Sequence, residues 1–129
     1  KAKRVGHGSQ IINDISFENG AITFNNDAAK YVFDNKIALE ICPTSNVQCG
    51  AYFNVSEHSF GELYKAGFNV TINTDNRLMS DITMSEEVNN VVESFGLVEK
   101  DILSITKNTI EAGFVEPNLR SGLLEKLDN

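Results

Sequence analysis

Residues 69–77, N-V-T-I-N-T-D-N-R, constrain the fold of this chain more than any other stretch. Val70, Thr71 and Ile72 form a β-branched run that reads as a short buried strand, and that strand delivers a carboxylate, Asp75, at its carboxyl end, where the chain must turn. Parallel α/β folds keep their chemistry at that end of their strands. Two other strand candidates finish the same way. The run from Lys3 to Gly6 leads into His7-Gly8, and the run from Ile37 to Ile41 leads into Cys42-Pro43-Thr44-Ser45-Asn46. Three strand ends with three polar clusters predict one shared rim.

Between the strands the pattern is helical. Asn26 or Asp27 caps a predicted helix with Ala28, Ala29, Val32 and Phe33 on one face. Ser59-Phe60-Gly61-Glu62 reads as a capping box, opening a helix that stops at Gly67 and passes through a short loop into the strand at Val70. Thr83-Met84-Ser85-Glu86 reads as a second box, whose helix carries Met84, Val88, Val91, Val92 and Phe95 and closes at Gly96. Asp101 starts a further helix with Ile102, Leu103, Ile105 and Ile110 on its apolar side, and Pro117 sits in the first turn of a last one through Leu127. The carboxylates on these helices read as solvated faces. Residues 9–26, with Gly20 and several Asn and Asp, read as a long loop with room for a short helix at Ile11, Ile12 and Ile15. The order β-α-β-α-β followed by helices predicts an α/β fold with parallel pairing and right-handed crossovers. Three parallel strands leave two edges unpaired and an inner face without a partner, so the sheet is incomplete by itself.

A chain of 129 residues holds one domain and one core. Its net charge of -7 disfavours a surface that tracks nucleic-acid phosphates. No apolar run approaches the roughly 20 residues that span a bilayer, and no charged-then-apolar leader opens the chain, so the expected place is the cytoplasm, with neither nucleic acid nor membrane as partner. Cys42 and Cys49 lack C-x-x-C spacing and read as reduced structural thiols in preference to a disulfide. Glu40, a carboxylate inside an apolar strand, reads as half of a structural ion pair. Pro43 fixes the exit from that strand, and Thr44, Ser45 and Asn46 supply groups that tie neighbouring loops together. His7, between Gly6 and Gly8, is either open to close approach by another group or a histidine in a surface turn. His58 reads as hydrogen-bonded to loop backbone in preference to a ligand. The opening Lys1-Ala2-Lys3, without a methionine and running at once into a strand, reads as a piece of a longer protein.

Taken together, in this order and spacing, R-V-G-H-G (4–8), L-E-I-C-P-T-S-N (39–46) and V-T-I-N-T-D-N-R-L-M-S (70–80) resemble the C-terminal part of the adenosine deaminase family, and K-N-T-I-E-A-G-F (107–114) resembles its closing helix segment. The resemblance implies a (β/α)8 barrel, of which residues 1–129 supply the last three β/α units and the C-terminal helices. Such barrels take about 250 residues, so the N-terminal part of the same barrel is an implied partner. It also implies a hydrolase of purine metabolism that converts adenosine to inosine, in which a zinc-activated water attacks purine C6 and expels ammonia. Zinc serves because it lowers the pKa of bound water to about 7.

By position Asp75 matches the family's zinc ligand, and His7 matches the histidine beside the water, a base or electrostatic stabiliser. Asn76 takes the slot where many relatives carry a second aspartate that bonds purine N7. An asparagine amide donates to N7 at any pH, whereas an aspartate must first be protonated; Asn76 also removes the mutual pKa elevation of two adjacent carboxylates. The family's H-x-H pair and its H-x-x-E region, which carries a third zinc histidine and the glutamate that protonates N1, are not in this chain, whose only histidines are His7 and His58. Zinc wants about four ligands, so the chain alone is expected to be inactive or nearly so. Two other readings stay open: a non-catalytic module that pairs its unpaired strands with a second copy as a homo-oligomer, and a deaminase of adenine or another amino-purine.

Overall fold

In the computed structural model, which describes residues 2–18 and 21–127, the chain runs β1 (Arg4–Gly6), a 3-10 turn (Ser9–Asp14), β2 (Ile15–Glu18), β3 (Ala21–Phe24), α1 (Asp27–Asp34), β4 (Ala38–Ile41), α2 (Pro43–Gln48), a second 3-10 turn (Val55–Glu57), α3 (Phe60–Ala66), β5 (Val70–Ile72), α4 (Arg77–Ser80), α5 (Met84–Phe95), α6 (Glu99–Ala112) and α7 (Pro117–Leu127). The three expected strands form one parallel sheet in the order β1-β4-β5, with Val5 beside Leu39 and Leu39 beside Val70. Leu39, Ile41, Val70 and Ile72 are all buried, and the apolar runs that predicted strands covered on both faces do pack that way. Phe60 and Leu63 from α3, Val91 from α5 and Ile105 from α6 close over them. Each such side chain removed from water stabilises the fold by about 1.5–3 kcal/mol. Among the described residues β1 and β5 each pair on one side only. No helix there is long and apolar enough to cross a membrane.

The helix ends mostly follow their capping chemistry. Asn26, not Asp27, caps α1, its side chain accepting from the Ala29 amide at 2.8 Å. Thr83 and Glu86 form the expected reciprocal box, and Gly67 and Gly96 close α3 and α5 with left-handed φ of 89° and 63°. The predicted ion pair is present, with Arg4 Nη1 3.2 Å from Glu40 Oε1 and the Arg4 guanidinium 3.8 Å over the Phe114 ring. Both cysteines are free, Cys42 buried and Cys49 exposed.

Several expectations are corrected. Residues 15–24 are not loop: β2 and β3 pair antiparallel, Ile15 opposite Phe24 and Phe17 opposite Ile22, so Ile15 ends the 3-10 turn instead of extending a helix. The loop reading of Gly20 lies outside the described residues. The segment after Cys42 is the start of α2, with Pro43 at its first position. Ser59 does not cap α3, because its hydroxyl is turned to the Ser9 carbonyl at 3.0 Å and to the Tyr52 hydroxyl at 2.7 Å. Helix α6 begins two residues before Asp101, whose carboxylate instead accepts the Val98 amide at 2.9 Å. Ala28, Met84 and Leu103 are exposed, since each lies just off the buried stripe of its helix. Finally, Glu87 is no solvated carboxylate: it is fully buried.

Candidate active site

Each parallel strand ends at the same rim, and the hydrogen-bond ladder runs on past the strand ends to anchor the first residues of the rim loops. The His7 amide donates to the Glu40 carbonyl at 3.0 Å, and the Asn73 amide donates to the Ile41 carbonyl at 2.9 Å. Beyond those bonds the chain reverses sharply. His7 and Asp75 adopt left-handed backbone, with φ of 55° and 57°. Non-glycine residues enter that region at a cost of about 1–3 kcal/mol, and such strain concentrates at functional sites. Of the two glycines flanking His7, Gly8 carries the steric demand. Its φ is 68°, and a Cβ there would lie 2.8 Å from Leu39 Cδ2, whereas a Cβ on Gly6 would meet nothing within 4 Å.

The reversal brings the two predicted residues together: His7 Nε2 lies 3.7 Å from Asp75 Oδ2. With Cys42 Sγ their ligand atoms all fall within 4.8 Å of one another. Gly6, His7, Glu40, Cys42, Asn73 and Asp75 line a cleft of about 250 Å³. Burial, reinforced by the carboxylates of Asp75, Glu87 and Glu40, pushes the Cys42 thiol up to about 12. The thiol donates to the Glu40 carbonyl at 3.3 Å. A larger groove of about 410 Å³ beside Phe17, Ile22 and Lys65 shares no lining residue with this cleft.

Asn76 follows Asp75 without lining the cleft. It caps α4, its Oδ1 accepting from the Met79 amide at 3.2 Å, which commits the oxygen and leaves the amide nitrogen as the group for outside contacts.

The residues that hold His7 and Asp75 come from segments whose sequence reads as scaffold. Ser45 Oγ donates to Asp75 Oδ2 at 2.7 Å. Asn46, 6% exposed, places its Nδ2 3.0 Å from His7 Nδ1 and its Oδ1 3.0 Å from His58 Nε2. His58 bonds backbone as expected, though at the first residue of α3 and not in a loop, accepting the Phe60 amide on Nδ1 at 2.9 Å. With both ring nitrogens occupied it is no ligand. Burial, then the neighbouring His7, lowers its pKa to about 4, so the ring is neutral. Glu87 anchors the first turn of α2 by accepting the Thr44 amide at 2.9 Å and the Thr44 hydroxyl. The sequence signal for this set is the T-S-N run itself, whose three side chains each have a named partner in the fold.

The profile of the family described as adenosine deaminase matches residues 1–129. Curated adenosine deaminases of Mycobacterium bovis and Mycobacterium tuberculosis are 41% identical to this chain over 127 residues, covering 98% of it and 34% of their own length. That of Mycobacterium leprae is 40% identical over 126 residues, covering 98% of this chain and 35% of its own length. Among solved structures, an adenine deaminase from Arthrobacter aurescens superposes with a TM-score of 0.83 at 18% identity, covering 98% of this chain and 35% of that one. An N6-methyl-AMP deaminase from Arabidopsis thaliana gives 0.76 at 24% identity, covering 98% and 34%. At those identities the likeness shows the fold alone, that of a deaminase barrel domain. The chain thus spans about a third of the length of the curated relatives it matches. A match that runs from the strand before His7 to the last helix, over the whole chain, makes this protein a member of the adenosine deaminase family.

Proposed function

We propose that residues 1–129 form the C-terminal part of a (β/α)8 hydrolase that deaminates adenosine to inosine at purine C6. The observation that carries the reading is the convergence of His7 and Asp75, 3.7 Å apart and delivered by strands that do not pair with each other. The two open edges of the sheet support the further point that the remaining strands belong to an N-terminal part of the same barrel.

The donor set fits one side of a zinc site. A carboxylate oxygen and an imidazole nitrogen are ligand types zinc accepts, and the candidate atoms lie within 4.8 Å, but about four ligands are needed and the rest come from the upstream part. Asp75 would hold the metal. Such an ion, when bound, supplies acidified water with a pKa near about 7. The chain's own groups do the rest. Ser45 orients the Asp75 carboxylate. His7 presents a ring nitrogen to the same space, as base or electrostatic stabiliser. Asn76, with its oxygen engaged in the α4 cap, offers an amide donor that suits the acceptor N7 of a purine nucleoside. The free cysteines agree with a reducing, cytoplasmic setting.

The test is made on the full-length protein. Ammonia release from adenosine and bound zinc are expected, and Asp75→Ala should lose both. Absence of ammonia release from adenosine by the full-length wild type overturns the reading, and a panel adding adenine and N6-methyl-AMP shows whether another amino-purine is the substrate.

A further inference from the structure

We propose that His58 and Asn46 are positioning residues that lock His7 in its Nε2–H tautomer, so that the imidazole meets the cleft as a hydrogen-bond donor. The tautomer follows from the geometry alone; its meaning for catalysis rests on the deaminase reading above.

The direction of the relay is set at its buried end. The Phe60 amide belongs to a residue with 0% exposure and points at His58 Nδ1, 2.9 Å away. A backbone N–H can only donate, so Nδ1 must be the unprotonated nitrogen. A neutral imidazole carries one hydrogen, which therefore sits on His58 Nε2 and is donated to Asn46 across 3.0 Å. The atom of Asn46 that receives it must be the carbonyl oxygen. Its amide nitrogen then faces His7 Nδ1, 3.0 Å away, and donates to it. By the same one-hydrogen rule His7 carries its proton on Nε2, the nitrogen directed at Asp75.

Each link is held in place. The Tyr52 ring packs on His58 with centroids 4.0 Å apart, and the Tyr52 hydroxyl is bonded to Ser59 at 2.7 Å. His58 and Asn46 are 2% and 6% exposed, so solvent does not compete for their bonds. One backbone amide thus sets the identity of a hydrogen three side chains away. Of the two roles open to His7, the relay selects one. Its Nδ1 lone pair is occupied and its Nε2 bears hydrogen, so the neutral ring donates to an oxygen lying between it and Asp75 and does not take a proton from it.

Nitrogen-15 and carbon-13 NMR of the histidine rings in the full-length protein tests this, recorded at about pH 8, above the ordinary histidine range, with His7 identified by the signals lost in His7→Gln. The expected wild-type spectrum is that of an Nε2–H imidazole. Asn46→Asp keeps the shape of the side chain and its acceptor for His58 but replaces the donor facing His7, and should move the His7 proton to Nδ1. In the same variant kcat for deamination should fall by about 10–100-fold with KM little changed. A wild-type His7 protonated on Nδ1 overturns the proposal, as does an unaltered tautomer in Asn46→Asp; should that variant not fold, the wild-type spectrum decides alone. A protein that shows the Nε2–H tautomer yet releases no ammonia from any amino-purine removes the deaminase reading and leaves the relay standing.

Discussion

Glu87 reaches from α5 to the first turn of α2, where its fully buried carboxylate accepts both the backbone amide and the hydroxyl of Thr44. The turn it grips carries Ser45 and Asn46, the two side chains that hold Asp75 and His7. Glu87→Ala leaves the part-buried Thr44 amide without its acceptor and empties a fully buried side-chain site, and is expected to cost about 2–4 kcal/mol of stability. Urea denaturation of variant and wild type measures it.

Ser45 is the residue through which α2 acts on Asp75. Ser45→Ala removes a bond of 2.7 Å from a half-exposed site, so the expected loss of stability is small, under about 1 kcal/mol. Metal affinity of the full-length protein should fall by about 10–100-fold, because the carboxylate loses the partner that orients it. Calorimetric titration with zinc separates the two effects.

His58 gives the fold a dependence on acid. Its pKa is about 4 in the folded chain against an ordinary 6.5, so between those values the unfolded state binds a proton that the folded state refuses. Stability therefore holds above about 6.5 and is lost as pH falls toward about 4, by up to about 3 kcal/mol. Chemical denaturation across that window should show the slope, and His58→Gln should flatten it.

Gly8→Ala combines a left-handed backbone with a new Cβ 2.8 Å from Leu39 Cδ2, in the core. The backbone contribution alone is about 1–2 kcal/mol. Gly6→Ala meets no atom within 4 Å and should be nearly silent. Paired denaturation midpoints for the two variants check the contrast.

The parallel sheet was legible because Val70 to Ile72 and Ile37 to Ile41 are apolar with little interruption, a pattern that suits strands covered on both faces. The β2–β3 pair carries an equally plain signal, apolar residues alternating at Ile15 and Phe17 and at Ile22 and Phe24, but the polar residues around it mask the period. The Ser59 box failed for a different reason: its spacing was right, yet a carbonyl fifty positions earlier, at Ser9, outcompeted the local cap. At the site, His7 and Asp75 could be singled out because strand ends are where side chains converge. Their supporting residues could not, since Asn46 touches His7 and His58 only after two crossovers have folded, and Glu87 looks like any helix-surface carboxylate until Thr44 is brought against it.

The left-handed turns at His7 and Asp75 complicate how any substitution there should be read. Replacing either residue by alanine alters main-chain preference together with side-chain chemistry, so an inactive variant reports two perturbations at once. Asparagine tolerates this conformation better than most side chains, which makes His7→Asn and Asp75→Asn the cleaner controls. A valine at either position would chiefly interrogate the bend in the chain.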